Sequence, residues 1–160
     1  FNKHYLDSKN EEQLTNAINN KKFDGGDYSN NVLLAIRERC STLNDFVVHS
    51  SYFFNDPEIF EDSLINKHCK EGTHGYLSLL KSYLSELEMW DQISIKEVID
   101  KTVSEVDVGF GKIGLPLRLA LTATVNSPSI DLVCEILGKD IVLKRLDNFL
   151  SMIQSLEKDL

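Results

Sequence analysis

The chain has 160 residues, of which 42% are hydrophobic and 26% charged, and its formal net charge is −8. That length can bury one core or two small ones, and the ordinary balance of apolar and charged residues excludes a disordered chain. Lys112 and Arg118 break the longest apolar stretch, and the first residues are polar, so neither a transmembrane helix nor a signal peptide is expected.

Taken in order, Leu14 and Ile18 stand four residues apart and predict a short amphipathic helix over 11–20, followed by a polar, glycine-containing loop over 19–27. Ser29 or Asn30 is placed to cap the next helix, whose inner stripe is Val32, Leu33, Ile36 and Cys40. That phase leaves Arg37 and Arg39 on the flank, available to a partner. Ser41 and Thr42 can cap a further helix with Leu43, Phe46 and Val47 inside, running toward the aromatic cluster Tyr52-Phe53-Phe54. Asn55-Asp56-Pro57 reads as a turn into another helix start. From Thr73 the spacing Tyr76, Leu80, Tyr83, Leu84, Leu87 is helical, and Trp90 closes the segment. Ser94 and Glu97 form a capping box ahead of a helix with Ile95, Val98, Ile99, Thr102, Val103 and Val106 on one side.

The stretch 109–148 carries the most information. A helical run ending Leu117-Arg118-Leu119-Ala120-Leu121-Thr122 leads into a hydroxyl-rich loop. Ser127 is a good N-cap and Pro128 suits a first helical turn, so a helix is expected from Pro128, with Ile130, Val133, Ile136 and Leu137 in phase. Gly138 stops it with a left-handed cap, and a second helix follows with Val142, Leu146, Phe149, Leu150 and Ile153 on one face. Sustained two-residue alternation is absent, so an all-α protein is expected.

Several chemical constellations weigh little. Gly109-Phe110-Gly111-Lys112-Ile113-Gly114 has the spacing of a dinucleotide fingerprint, but that mechanism needs a strand before the glycines; here a helical pattern precedes them, which reads as a helix–helix connection. His49, His68, Cys69 and His74 lack the close pairs of a structural zinc site. Cys40 and Cys134 fall on apolar faces, and an odd set of three cysteines without paired spacing reads as free thiols in a reducing cytoplasm. No acid, base, nucleophile or metal set stands out, so no catalytic residue and no metal ligand is named.

The negative charge at first argues against nucleic acid, whose binding rests on neutralised phosphates. Its distribution answers that argument. Residues 111–160 hold six basic and six acidic side chains, and the excess acid lies wholly in 1–110, with 11 basic against 19 acidic. The four arginines are Arg37, Arg39, Arg118 and Arg145, in a chain that otherwise uses lysine, as though arginine were kept where a planar donor is needed.

Three landmarks then fall in order. Phe1-Asn2-Lys3-His4-Tyr5-Leu6, then Arg37-Glu38-Arg39-Cys40-Ser41-Thr42-Leu43, then Leu117 to Thr122 with Ser127-Pro128 and Leu137-Gly138-Lys139 together resemble the C-terminal anticodon-binding region of bacterial-type glutamyl-tRNA synthetases. The resemblance covers nearly the whole chain. It implies a two-subdomain helical anticodon-binding cage of a class I aminoacyl-tRNA synthetase, divided near Asp62 into 1–62 and 63–160. It also implies roles: Arg39 resembles the reader of the third anticodon base, Arg118 lies against the first and second, and Ser127 and Ile130 border the pocket. Arg37, near Arg39, is a secondary candidate for a phosphate, and Thr122 belongs to the same hydroxyl-rich loop. Two departures stand out: Ala123 and Ser129 occupy places where that family often has glycine.

The resemblance further implies a cytoplasmic monomer whose partner is the anticodon loop of a glutamate-specific tRNA, with neither DNA nor membrane as a partner. The intact enzyme resembled here uses ATP and magnesium to attach glutamate to tRNA. The His-Ile-Gly-His-type and Lys-Met-Ser-Lys-type motifs of that chemistry are missing, so these residues need no cofactor and should be inactive alone. The rival expectations are the similar cage of a class I lysyl-tRNA synthetase and a helical protein–protein interaction module.

Overall fold

The computed structural model describes residues 27–158. The opening segment 1–6 and the helix expected over 11–20 lie outside the described residues. Every regular element among the described residues is a helix. The chain divides into two units, the first ending at Asn55 and the second running from Asp56.

This division precedes the expected one at Asp62 because the connecting residues are tied into the second unit. The Asp56 carboxylate accepts from Lys144 Nζ at 2.6 Å and Arg145 Nε at 3.1 Å, and the Phe60 ring meets Phe149 edge-on at 5.4 Å. The same contacts explain why Pro57 does not open a helix. Residues 56–61 run without regular structure, and the next helix begins at Asp62.

In the first unit, α1 (Asp27–Ile36) buries Ser29, Val32, Leu33 and Ile36. It begins ahead of the expected caps, and Ser29 faces inward instead. After Ile36 the chain tightens into one 3-10 turn, Arg37–Arg39, and Cys40 turns extended with its thiol donating to the Ile36 carbonyl. Thr42 then opens α2 (Leu43–Phe54) with a reciprocal capping box: its hydroxyl accepts from the Asp45 N–H at 3.0 Å, while the Asp45 carboxylate accepts from the Thr42 N–H at 3.1 Å. Phe46, Ser50 and Phe53 follow the helical repeat inward, which turns Val47 out to 41% exposure. The Tyr28 hydroxyl donates to the Phe53 carbonyl, joining α1 to the end of α2.

The second unit comprises α3 (Asp62–His68), α4 (Thr73–Glu86), α5 (Gln92–Val106), α6 (Gly111–Thr122), α7 (Ile130–Leu137) and α8 (Lys139–Lys158). Helix α6 is its centre, with eight buried residues from Ile113 to Thr122 and with α3, α4 and α8 packed around it. A helix apolar on nearly all sides has to be enclosed in this way. Asp91, not Ser94, caps α5: its carboxylate accepts the Ser94 N–H at 2.7 Å. The connection between α5 and α6 opens on Asp107 at φ +54° and holds Gly109, while Gly111 and Gly114 lie at the start of α6 itself. Gly114 lies under the Phe110 ring, where a β-carbon would come within 2.5 Å of ring carbon Cε1.

Candidate functional site

Helix α6 ends by turning left-handed. Ala123 has φ +58° and ψ +17°, and its N–H still reaches the Leu119 carbonyl at 2.8 Å. For a residue with a β-carbon this conformation costs roughly 1–2 kcal/mol. The loop 123–129 therefore leaves α6 at a fixed angle, and side chains hold it there. The Thr122 hydroxyl lies 2.7 Å from the Arg118 carbonyl and 3.0 Å from that of Thr124, and accepts from the Thr124 N–H at 3.3 Å. The Thr124 hydroxyl in turn accepts from the Asn126 N–H at 3.1 Å.

Arg118 closes the loop. Its Nη1 donates to the Ser127 carbonyl, the Ser127 hydroxyl and the Pro128 carbonyl, each at 2.7 Å. Ser127 Oγ also donates to the Pro128 carbonyl at 2.9 Å, so its hydroxyl is engaged on both sides. The expectation that Ser127 caps the following helix is thereby corrected. Helix α7 begins at Ile130, two residues later than expected, with Ser129 in the N-cap position and no side chain capping it.

Arg118, Thr122 and Ser127 are thus joined by hydrogen bonds around the loop, and Ile130 opens the helix that follows it. Their surroundings differ from the expectation. Thr122, Ser127 and Ile130 are 5%, 2% and 3% exposed, so they shape the loop from inside and do not present their side chains to a ligand. Arg118 is half-buried, and the exposed positions are Asn126 and Ser129, with Ala123, Thr124 and Val125 partly exposed.

The helix that follows the loop is tied to its neighbours. The indole N–H of Trp90 donates to the Cys134 carbonyl at 2.8 Å, and Gln92 Nε2 donates to Asp131 at 2.9 Å, fixing α7 against the α4–α5 connection. Lys139 Nζ donates to the Leu87 carbonyl at 2.8 Å. Gly138 separates α7 from α8 at φ +88° and ψ +157°; its φ is positive, as expected of the stop, but its ψ is extended and not left-handed helical. On the other side of α6, Arg145 points inward from α8. It is 3% exposed, and its Nη1 donates to the Leu121 carbonyl at 2.6 Å. The sequence reading gave Arg145 no role, although its place between Val142 and Phe149 on an apolar stripe was a visible signal.

The first unit carries the other two candidates. Arg37 and Arg39 are both exposed, on the 3-10 turn and not on a continuous helix. Burial lowers the His49 imidazole below its ordinary value, the Arg39 cation lowers it further, and Asp45 opposes both. His49 is thereby biased toward its neutral form. Burial pushes the Cys40 thiol up to about 11, and fully enclosed Cys134 higher still, so neither is a nucleophile at neutral pH. Among the described residues no three His, Cys, Asp or Glu side chains converge, and no helix is long and apolar enough to cross a membrane.

A sequence model of the anticodon binding domain family matches residues 3–150. Among solved structures, a glutamate tRNA ligase from Elizabethkingia meningosepticum CCUG26117 superimposes with a TM-score of 0.83 at 22% identity, over 94% of this chain and 31% of that one. A glutamate-tRNA synthetase from Elizabethkingia anophelis gives 0.78 at 21% identity, over 93% of this chain and 30% of that one. The likeness is one of helical fold, and the chain spans about a third of the length of these proteins.

Proposed function

Because the chain belongs to the anticodon binding domain family, we propose that it selects a glutamate-accepting tRNA by its anticodon, as the tRNA-recognising part of a longer glutamate-tRNA ligase. The observation that carries this reading is the loop 123–129, held shut by three bonds from Arg118 Nη1. Unpaired anticodon bases are read on their edges and by stacking. A loop already held in one shape loses little conformational freedom on binding them.

In this reading Arg118 fixes the loop and turns its half-exposed guanidinium toward the first and second anticodon bases. Thr122, Ser127 and Ile130 set the shape of the pocket wall. Arg39, exposed on its turn, reads the third base, and Arg37 takes a phosphate. ATP and magnesium serve glutamate activation in the remainder of the longer protein, which acts in the cytoplasm as a monomer. The near-neutral charge of 111–160 makes binding by this chain weak, and contacts made elsewhere on the same tRNA raise it through effective concentration.

The test is a titration of glutamate tRNA against the chain and against Arg39→Ala and Arg118→Ala at two salt concentrations, with a tRNA altered at its third anticodon base as control. Arg39→Ala should erase the preference between the two tRNAs, and Arg118→Ala should weaken both. Equal binding of both tRNAs by the folded wild-type chain would overturn the reading.

A further inference from the structure

Arg145 sits where the repeat of α8 calls for an apolar residue, three positions after Val142 and four before Phe149, both buried. A charge in that place rarely adds stability over a well-packed apolar side chain of the same size, because removing it from water costs about as much as its bonds return. Two of its bonds, however, tie the end of α6 to an acidic anchor. Nη1 meets the carbonyl of Leu121, the residue before Thr122, and Nε meets the Asp56 carboxylate, whose second oxygen is held by Lys144. The Leu121 carbonyl belongs to the last turn of α6, where carbonyls lose their helical partners. Two residues later the chain makes its left-handed turn at Ala123.

We propose that Arg145, oriented by Asp56, is a positioning residue for the recognition loop: it fixes the last turn of α6 and so the angle at which 123–129 departs. Arg118 closes the far end of the loop, and Arg145 holds its near end. Neither Arg145 nor Leu121 touches the RNA; the effect passes through the Ala123 turn to the exposed positions Asn126 and Ser129. The inference rests on the anticodon-binding reading for its consequence but not for its geometry.

The experiment uses the 160-residue chain, its Arg145→Met variant, which keeps length and packing without the donors, and Asp56→Asn, which alters only the half-exposed carboxylate. Amide NMR spectra and hydrogen exchange are recorded for each, and each is titrated with a synthetic anticodon stem-loop RNA of a glutamate tRNA and with single-base variants of it. In Arg145→Met the amides of 122–127 and of Ser129 should shift and the Ala123 amide should exchange about tenfold faster. Discrimination between matched and mismatched RNA should fall about tenfold. Asp56→Asn should move the same amides in the same direction by less. Should Arg145→Met fail to fold, Asp56→Asn decides the matter by itself. Loop amides that stay in place in a folded variant would overturn the proposal. Loop amides that move in a chain that binds none of the RNAs would uphold the positioning role and sink the anticodon reading instead.

Discussion

Arg118 Nη1 lies 2.7 Å from the hydroxyl of Ser127, nine residues further along the chain, and equally close to the Ser127 and Pro128 carbonyls. This side chain of α6, with the Thr122 hydroxyl, holds the path of the loop that follows it. Two substitutions should separate hydroxyl from guanidinium. Ser127→Ala leaves both carbonyls on Arg118 and should cost about 1 kcal/mol of stability, with a smaller loss of RNA discrimination than the guanidinium substitution. Arg118→Lys keeps the charge but loses the planar fork, and should reduce discrimination between anticodon variants by about 1–3 kcal/mol. Chemical denaturation and RNA titration of the two variants check both values.

Ala123 holds a left-handed backbone without being glycine. Ala123→Gly relieves that strain and gives back part of the gain as extra freedom of the unfolded chain, so stability should rise by up to about 1 kcal/mol. Ala123→Val places a branched β-carbon there and should be clearly destabilising. A urea denaturation series on the three proteins measures the order Gly, Ala, Val.

The Asp56 carboxyl is held below its ordinary 3.8, first by its bond to Lys144 and then by Arg145, with burial opposing. Its folded value lies below its unfolded one, so its contribution is complete above the unfolded value and is lost as pH falls through the folded value. The stability difference between wild type and Asp56→Asn should thus be constant at neutral pH and shrink in acid below about pH 4. Denaturation midpoints of the two proteins across pH 2 to 7 give the curve directly. A difference that stayed flat into acid would mean that the carboxylate bonds to Lys144 and Arg145 carry no net stability.

His49 titrates below its ordinary 6.5, mainly because it is half-buried and next because Arg39 is near. Arg39→Ala removes only the second cause. The His49 midpoint should then rise part of the way toward 6.5. Imidazole proton shifts followed across pH report it, and an unchanged midpoint would show that the Arg39 cation lies away from His49.

Much of the fold follows from short-range chemistry. Thr42 with Asp45, and the repeats Leu80–Leu84 and Val142–Leu146–Phe149, act within a turn or two of chain, where spacing and side-chain type suffice. The misplaced starts have a common cause. Ser94, Pro57 and Ser127 are all sound cap or first-turn residues, and each was displaced by a competing partner: Asp91 ahead of Ser94, the Asp56 ion pair beside Pro57, and Arg118 on Ser127. Local preference near 1 kcal/mol gives way when a neighbour takes the same group.

The sequence by itself determined that the described residues are helical, that Arg37 and Arg39 stay out of the core, and that Arg118, Thr122, Ser127 and Ile130 share one stretch around a loop. Only the tertiary structure decided which of those side chains face outward, that Ala123 turns left-handed, and that Arg145 lies inside. The Arg145 bonds join residues 24 and 89 positions apart, to Leu121 and to Asp56. Burial of that kind is set by how α6 and α8 pack around each other, and no periodicity within either helix encodes it.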